Sequence, residues 1–205
     1  KFLAAAKIAS DQVHCNAVLP KVALAPSFTQ TLVVVRDPIA RLSSAFDYSL
    51  RGTVQDPEQF RRLGECFARP TLDALVELYT RESEGECWSL ARDLLVFHEK
   101  PAGHMQFNAC WYLGGIVDKL KNVFVAQQET LDQDLEAFRV HFYNATAIEQ
   151  GPSVGCNHCA PTSHANISVT SLRALSVILR TEYDAVNEVM ALSQNKRGVS
   201  YTRPF

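Results

Sequence analysis

The chain has 205 residues, 47% hydrophobic and 20% charged, with 20 Lys and Arg against 22 Asp and Glu and a formal net charge of -2. That length suits one domain with a real core and is short for two. The near-neutral balance excludes a bulk electrostatic footprint for nucleic acid or an anionic membrane. No apolar run approaches the ~20 residues of a membrane helix, and no positively charged segment leads into a signal-type apolar stretch.

Residues 30–36 carry Thr31-Leu32-Val33-Val34-Val35, a short β-branched run. Such a run predicts a strand buried on both faces of a parallel sheet. Asp37 follows as a good helix N-cap, and Pro38 suits the first helical position, where its missing N–H is not needed. Ile39, Leu42, Ala45 and Phe46 then recur at helical spacing. A strand, tight turn and helix in this order aim backbone N–H groups at an anion.

Residues 52–57 break the pattern. Residues 57–82 read as mostly helical, with Leu72, Leu75, Val76 and Tyr79 on one face. Residues 84–87 read as a turn, 89–97 as a short helix and 101–103 as a second break. Residues 105–113 are aromatic-rich and end at Gly114-Gly115. Residues 122–127 form a second strand, 131–142 an amphipathic helix and 150–163 a loop. A long C-terminal helix is expected over 171–193, with Leu172, Leu175, Ile178, Leu179, Val186 and Val189 as its stripe. Strands alternating with helices predict a single α/β domain over 1–205, although only two strands are convincing.

Six cysteines (Cys15, Cys66, Cys87, Cys110, Cys156 and Cys159) allow three disulfides in fifteen connectivities. Two N-glycosylation sequons begin at Asn144 and Asn166. Together they favour an oxidising, secretory compartment over a cytosolic chain with buried thiols. Cys156 and Cys159 with nearby His164 have one half of a zinc pattern, but no second pair follows. A disulfide there is preferred to zinc, and a zinc-containing interaction domain stands as a minor reading. His98 and His104 read as loop surface, and Trp88, Phe107, Trp111 and Tyr112 as core more than as sugar platforms.

The chemistry concentrates at Arg36-Asp37-Pro38-Ile39-Ala40-Arg41-Leu42-Ser43-Ser44. Arg36 stands at the carboxyl end of a strand, where ligands of open α/β sheets bind, and a guanidinium there can take two phosphate oxygens. Ser44 lies two helical turns on and can donate a second hydrogen bond. Asp37 and Arg41 are spaced to pair and steady the turn. The bland alternative is a capped helix beside a surface arginine.

This R-D-P-x-x-R-x-x-S pattern after an apolar strand, followed by Phe46 and Tyr48, resembles the 3′-phosphate-binding motif of the carbohydrate sulfotransferases. The resemblance implies that Arg36 and Ser44 hold the 3′-phosphate of 3′-phosphoadenosine 5′-phosphosulfate. Val13-His14-Cys15-Asn16 precedes Arg36 at about the separation found in heparan sulfate 2-O-sulfotransferase and galactose-3-O-sulfotransferases, which makes His14 the candidate catalytic base. A neutral imidazole, with pKa near ~6.5, suits that task. Residues 122–135 resemble the family's later strand and its acidic E-x-x-D-x-x-L segment. Residues 164–168 and the helix with Glu182, Tyr183 and Asp184 resemble its C-terminal part.

The resemblance further implies a P-loop-NTPase-like three-layer sheet with helices on both faces, and sulfuryl transfer to a glycan hydroxyl. No metal and no nucleic acid are expected. It places the protein in the Golgi lumen, held to the membrane only by an anchor outside this chain. Two features depart from the family. No K-x-G-x-[ST] loop for the 5′-phosphosulfate occurs, so the chain is expected to start after it, N-terminally incomplete. After Ser163 there is His164 but no Lys or Arg until Arg173. The runner-up reading is a non-catalytic lumenal binding module that keeps the fold.

Overall fold

A computed structural model of the chain describes residues 31–50, 57–81, 84–96, 105–113, 117, 120, 122–143, 167–195 and 201–204. These residues form a mixed α/β structure, mostly helical, around a two-stranded parallel sheet.

Strand β1 (Thr31–Val35) pairs in parallel with β2 (Val123–Gln127), in register from Thr31 opposite Val123 to Val35 opposite Gln127. Both strands therefore end at the same edge of the sheet. Alternation along a strand sends successive side chains to opposite faces. Val33, Val35, Val123 and Val125 share one face and pack with Leu113, Val117, Val186 and Val189. On the other face of β2, Phe124 meets Phe138 and Phe142 at ring-centroid distances of 5.2 and 6.0 Å. Both partners lie on helix α6 (Leu131–Tyr143). β2 is thus buried on both faces. β1 is not: Leu32 and Val34 are 37% and 51% exposed. The expectation of a doubly buried β1 is corrected here; the covering helix α6 packs over β2.

The outer edge of β2 is closed by groups from elsewhere. Val123 O accepts from the Gln194 N–H (2.8 Å). The Val125 N–H donates to Ser193 Oγ (2.9 Å), and Val125 O accepts from Asn195 Nδ2 (3.1 Å). The Gln127 N–H donates to Asp134 Oδ2 (2.8 Å). Asp134 itself is buried and also accepts from Asn195 Nδ2 and Thr130 Oγ1. Backbone groups that a third strand would use are satisfied by side chains and one loop amide.

Helix α1 (Pro38–Leu50) starts as its sequence predicts. Asp37 Oδ1 accepts the Ala40 N–H at 2.9 Å, and Asp37 O takes the first helical bond from Arg41 N at 2.8 Å. Ile39, Leu42 and Phe46 fall on one face and enter the larger core cluster. That cluster also draws on α2 (Pro57–Cys66), α3 (Leu72–Arg81) and α4 (Glu86–Leu95). α2 and α3 replace the single helical stretch expected over 57–82. Pro70 disfavours helix at the residue before it, and Thr71 restarts the chain by capping the Ala74 N–H through Oγ1 at 3.1 Å. α4 begins at Glu86, inside the expected turn, after Gly85 at φ 105°. That left-handed backbone suits glycine. A disulfide between Cys66 and Cys87 ties the end of α2 to the start of α4.

A short helix α5 (Ala109–Leu113) carries the aromatic-rich segment. The expected single C-terminal helix is instead two, α7 (Val169–Ile178) and α8 (Arg180–Ala191). Leu179 between them leaves helical geometry at φ −89°, ψ 12°. The break serves two cores: Leu175, Leu179 and Tyr183 face the larger cluster, while Val186 and Val189 face the sheet. Ser168 caps α7 by accepting the Ser171 N–H, and its own N–H donates to the Asp73 carboxylate of α3. Among the described residues, no helix is long and apolar enough to cross a membrane.

Candidate functional site

The carboxyl ends of β1 and β2 bring the Arg36-Asp37-Pro38 turn beside a 3-10 turn (Gln128–Thr130) that follows β2 directly. Arg36 is half-buried. Burial pulls its guanidinium below the usual arginine range, and Glu129, Tyr201 and Asp37 act in the opposite sense. The Asp37 N–H donates to Glu129 Oε1 at 3.1 Å, and Glu129 Oε2 accepts from the Tyr201 hydroxyl. Burial, reinforced by that bond to Glu129, pushes the Tyr201 hydroxyl well above the ordinary tyrosine range, so it stays a donor.

Asp37 has a second anchor. Its Oδ2 accepts from the Tyr183 hydroxyl at 2.9 Å. Tyr183 is fully buried, and burial followed by the Asp37 charge drives its hydroxyl well above the usual range. The capping carboxylate is thus held from both sides, by Ala40 on α1 and by α8.

Arg41 does not pair with Asp37 as its spacing suggested. Its Nε and NH2 fork onto Glu182 Oε1 and Oε2 at 2.6 and 2.9 Å, and NH1 reaches the carbonyls of Met105 (3.1 Å) and Phe107 (3.4 Å). Glu182 is 3% exposed and also accepts the Ala109 N–H at 3.2 Å. A planar guanidinium matches this arrangement in a way lysine cannot. The second arginine of the motif therefore clamps α1 to α8 and to the start of α5.

Ser44 sits on α1, half-buried, about 10 Å of helical rise beyond the cap. An anion touching both Arg36 and Ser44 has to lie along the first two turns of α1, rather than at the helix end alone. His14 lies outside the described residues, as do His98, His104, His164, Cys15, Cys156, Cys159 and the two sequon asparagines. Cys110 is buried with a free thiol; burial, with Glu182 adding to it, pushes the thiol up to about 11. Phe107, Trp111 and Tyr112 are half-buried and pack edge-on, with Trp111 4.8 Å from Tyr112 and 5.0 Å from Phe107. Among the described residues, no group of three or more His, Cys, Asp or Glu could hold a metal ion.

Two participants escaped sequence reasoning. Glu129 lay within the acidic segment noted after β2, but nothing local linked it to Asp37, 92 residues away. Tyr201 carried no signal at all. Asn187 grips it by a reciprocal amide pair, with the Tyr201 N–H donating to Asn187 Oδ1 and Asn187 Nδ2 donating to Tyr201 O, both at 3.1 Å.

No known family model matches the chain, and no curated protein or solved structure shows significant similarity to it.

Proposed function

We propose that the chain binds the 3′-phosphate of a phosphorylated adenine nucleotide beside Arg36, as the donor site of a carbohydrate sulfotransferase. The observation that carries this reading is the placement of Arg36 and the capped start of α1 where two parallel strands end together, the edge at which open α/β sheets receive ligands. Partial burial of Arg36 supports it too, because a less hydrated guanidinium meets an anion more strongly.

In this reading 3′-phosphoadenosine 5′-phosphosulfate supplies an activated sulfuryl group. Arg36 and Ser44 bind and orient its 3′-phosphate. His14 accepts the proton of the attacking glycan hydroxyl as the new oxygen–sulfur bond forms and the sulfur–phosphate oxygen bond breaks. Arg41, Glu182, Tyr183 and Asp37 act as positioning residues that keep the Arg36 turn in place. The finer fold, a P-loop-like three-layer sheet, and a Golgi location belong to the same proposal.

Calorimetric titration of adenosine 3′,5′-bisphosphate tests it, since the desulfated nucleotide reports the site without catalysis. Micromolar binding that falls at least about ten-fold in Arg36→Ala is expected, the scale of one lost charge-assisted contact. Nucleotide binding that is indifferent to Arg36, or absent from folded chain, overturns it.

A further inference from the structure

Glu129 is an anion already seated at the Arg36 end of the proposed donor site. Its carboxylate takes the Asp37 N–H through one oxygen and the Tyr201 hydroxyl through the other, and its charge acts directly on Arg36. Each of these groups would serve an incoming phosphate equally well: a backbone N–H at a helix start, a hydroxyl held protonated and a partly desolvated guanidinium. A bound phosphate and the Glu129 carboxylate would repel each other across a few ångströms.

The holder of Glu129 is built to be specific. Tyr201 is fixed by its backbone to the Asn187 side chain on α8 and packs against both core clusters. Glu129, in contrast, is exposed and sits in a single 3-10 turn, so its side chain can swing away without disturbing the core.

We infer that Glu129, latched by Tyr201, is an internal competitor that occupies the Arg36–Asp37 anion cradle and is displaced when a phosphate-bearing ligand binds. The identity of that ligand rests on the reading above; the latch itself does not. It makes the site selective for ligands whose phosphate is charged enough, and anchored well enough elsewhere, to move a carboxylate. Free sulfate or phosphate is thereby kept out of it.

The test is calorimetric titration of two probes, inorganic phosphate and adenosine 3′,5′-bisphosphate, into wild-type chain, Glu129→Gln and Tyr201→Phe, each with and without Arg36→Ala. Gln keeps the size and the acceptor but loses the charge. Glu129→Gln is expected to bind either probe about ten-fold more tightly than wild type, in an Arg36-dependent way, with the gain shrinking in high salt. Tyr201→Phe, which unties the carboxylate but also removes a donor offered to the phosphate, should change binding less than Glu129→Gln does. Tighter inorganic phosphate without any nucleotide binding would sustain the latch and sink the nucleotide reading. Arg36-dependent nucleotide binding that Glu129→Gln leaves unchanged or weakens would sink the latch and spare the reading. Binding of neither probe to any folded variant overturns both.

Discussion

Replacing Arg41 with Met removes the clamp between α1 and α8 while keeping an unbranched side chain. The loss can be worked from the contacts. Two charge-assisted bonds to Glu182, at 2.6 and 2.9 Å, disappear together with those to the Met105 and Phe107 carbonyls. Glu182, with its side chain 4% exposed, is left charged in the core with the Ala109 N–H. Removing one partner of such a pair costs about 3–5 kcal/mol, chiefly because the survivor is buried uncompensated. For a chain of this size a urea m-value of ~2–3 kcal/mol/M converts that into a midpoint lowered by about 1–2.5 M. Urea melts followed by far-UV circular dichroism, with the disulfide intact, measure it. The double variant Arg41→Met with Glu182→Met should recover much of the loss, since no charge then remains buried. Arg61 provides the contrast: it also meets two carboxylates, Glu58 and Glu65, but on the surface, and its removal should leave the midpoint nearly unmoved. An Arg41→Met chain as stable as wild type, or a double variant no better than the single, would refute the account of Arg41 as the clamp.

Two further expectations follow from covalent and protonic features. The Cys66–Cys87 disulfide closes a loop with a sequence separation of 21, for which chain entropy predicts about 3 kcal/mol. Cys66→Ser with Cys87→Ser should lower unfolding stability by that amount; equal stability of the two chains would contradict the bridge. The Cys110 thiol titrates at about 11 in the fold against an ordinary 9.0, so the folded chain keeps a proton that the unfolded chain has lost. Its contribution is therefore complete below pH 9 and is lost as pH rises toward 11, by about 2–3 kcal/mol at most. Urea melts at pH 8 to 11 should show a steeper decline for wild type than for Cys110→Ala; the raised hydroxyls of Tyr183 and Tyr201 act in the same sense above pH 10 and remain in both chains.

What could be read from the residues alone was local. The β-branched run of β1, the Asp37 cap, Pro38 at the helix start and the β2 segment each announce themselves within a few residues, and all are present. Partnerships over long separations were not legible. Arg41 had a carboxylate four residues away in sequence, yet Glu182, 141 residues on, wins it. A bidentate fork in a dry setting outweighs an exposed pair at helical spacing. The break at Leu179 was invisible because the apolar stripe runs through it unbroken; only the existence of two separate clusters requires the turn. The exposure of Leu32 and Val34 was equally hidden, since a run of β-branched residues states a preference for strand and not how many layers cover it. At the site, Arg36 and Ser44 came from the motif and Glu129 only from the fold, because the approach of one strand end to another is a property of register.

The capped outer edge of β2 has a consequence for how the protein can associate. An open strand edge is a template on which another chain can pair, and natural sheets block such edges with side chains or loops. Here the groups of Val123, Val125 and Gln127 are consumed by residues 193–195 and Asp134. Among the described residues the sheet is therefore one-sided as a growing surface: a further strand, whether from this chain or from another molecule, would join at the β1 flank. Growth there would place the newcomer next to the carboxyl end that carries Arg36.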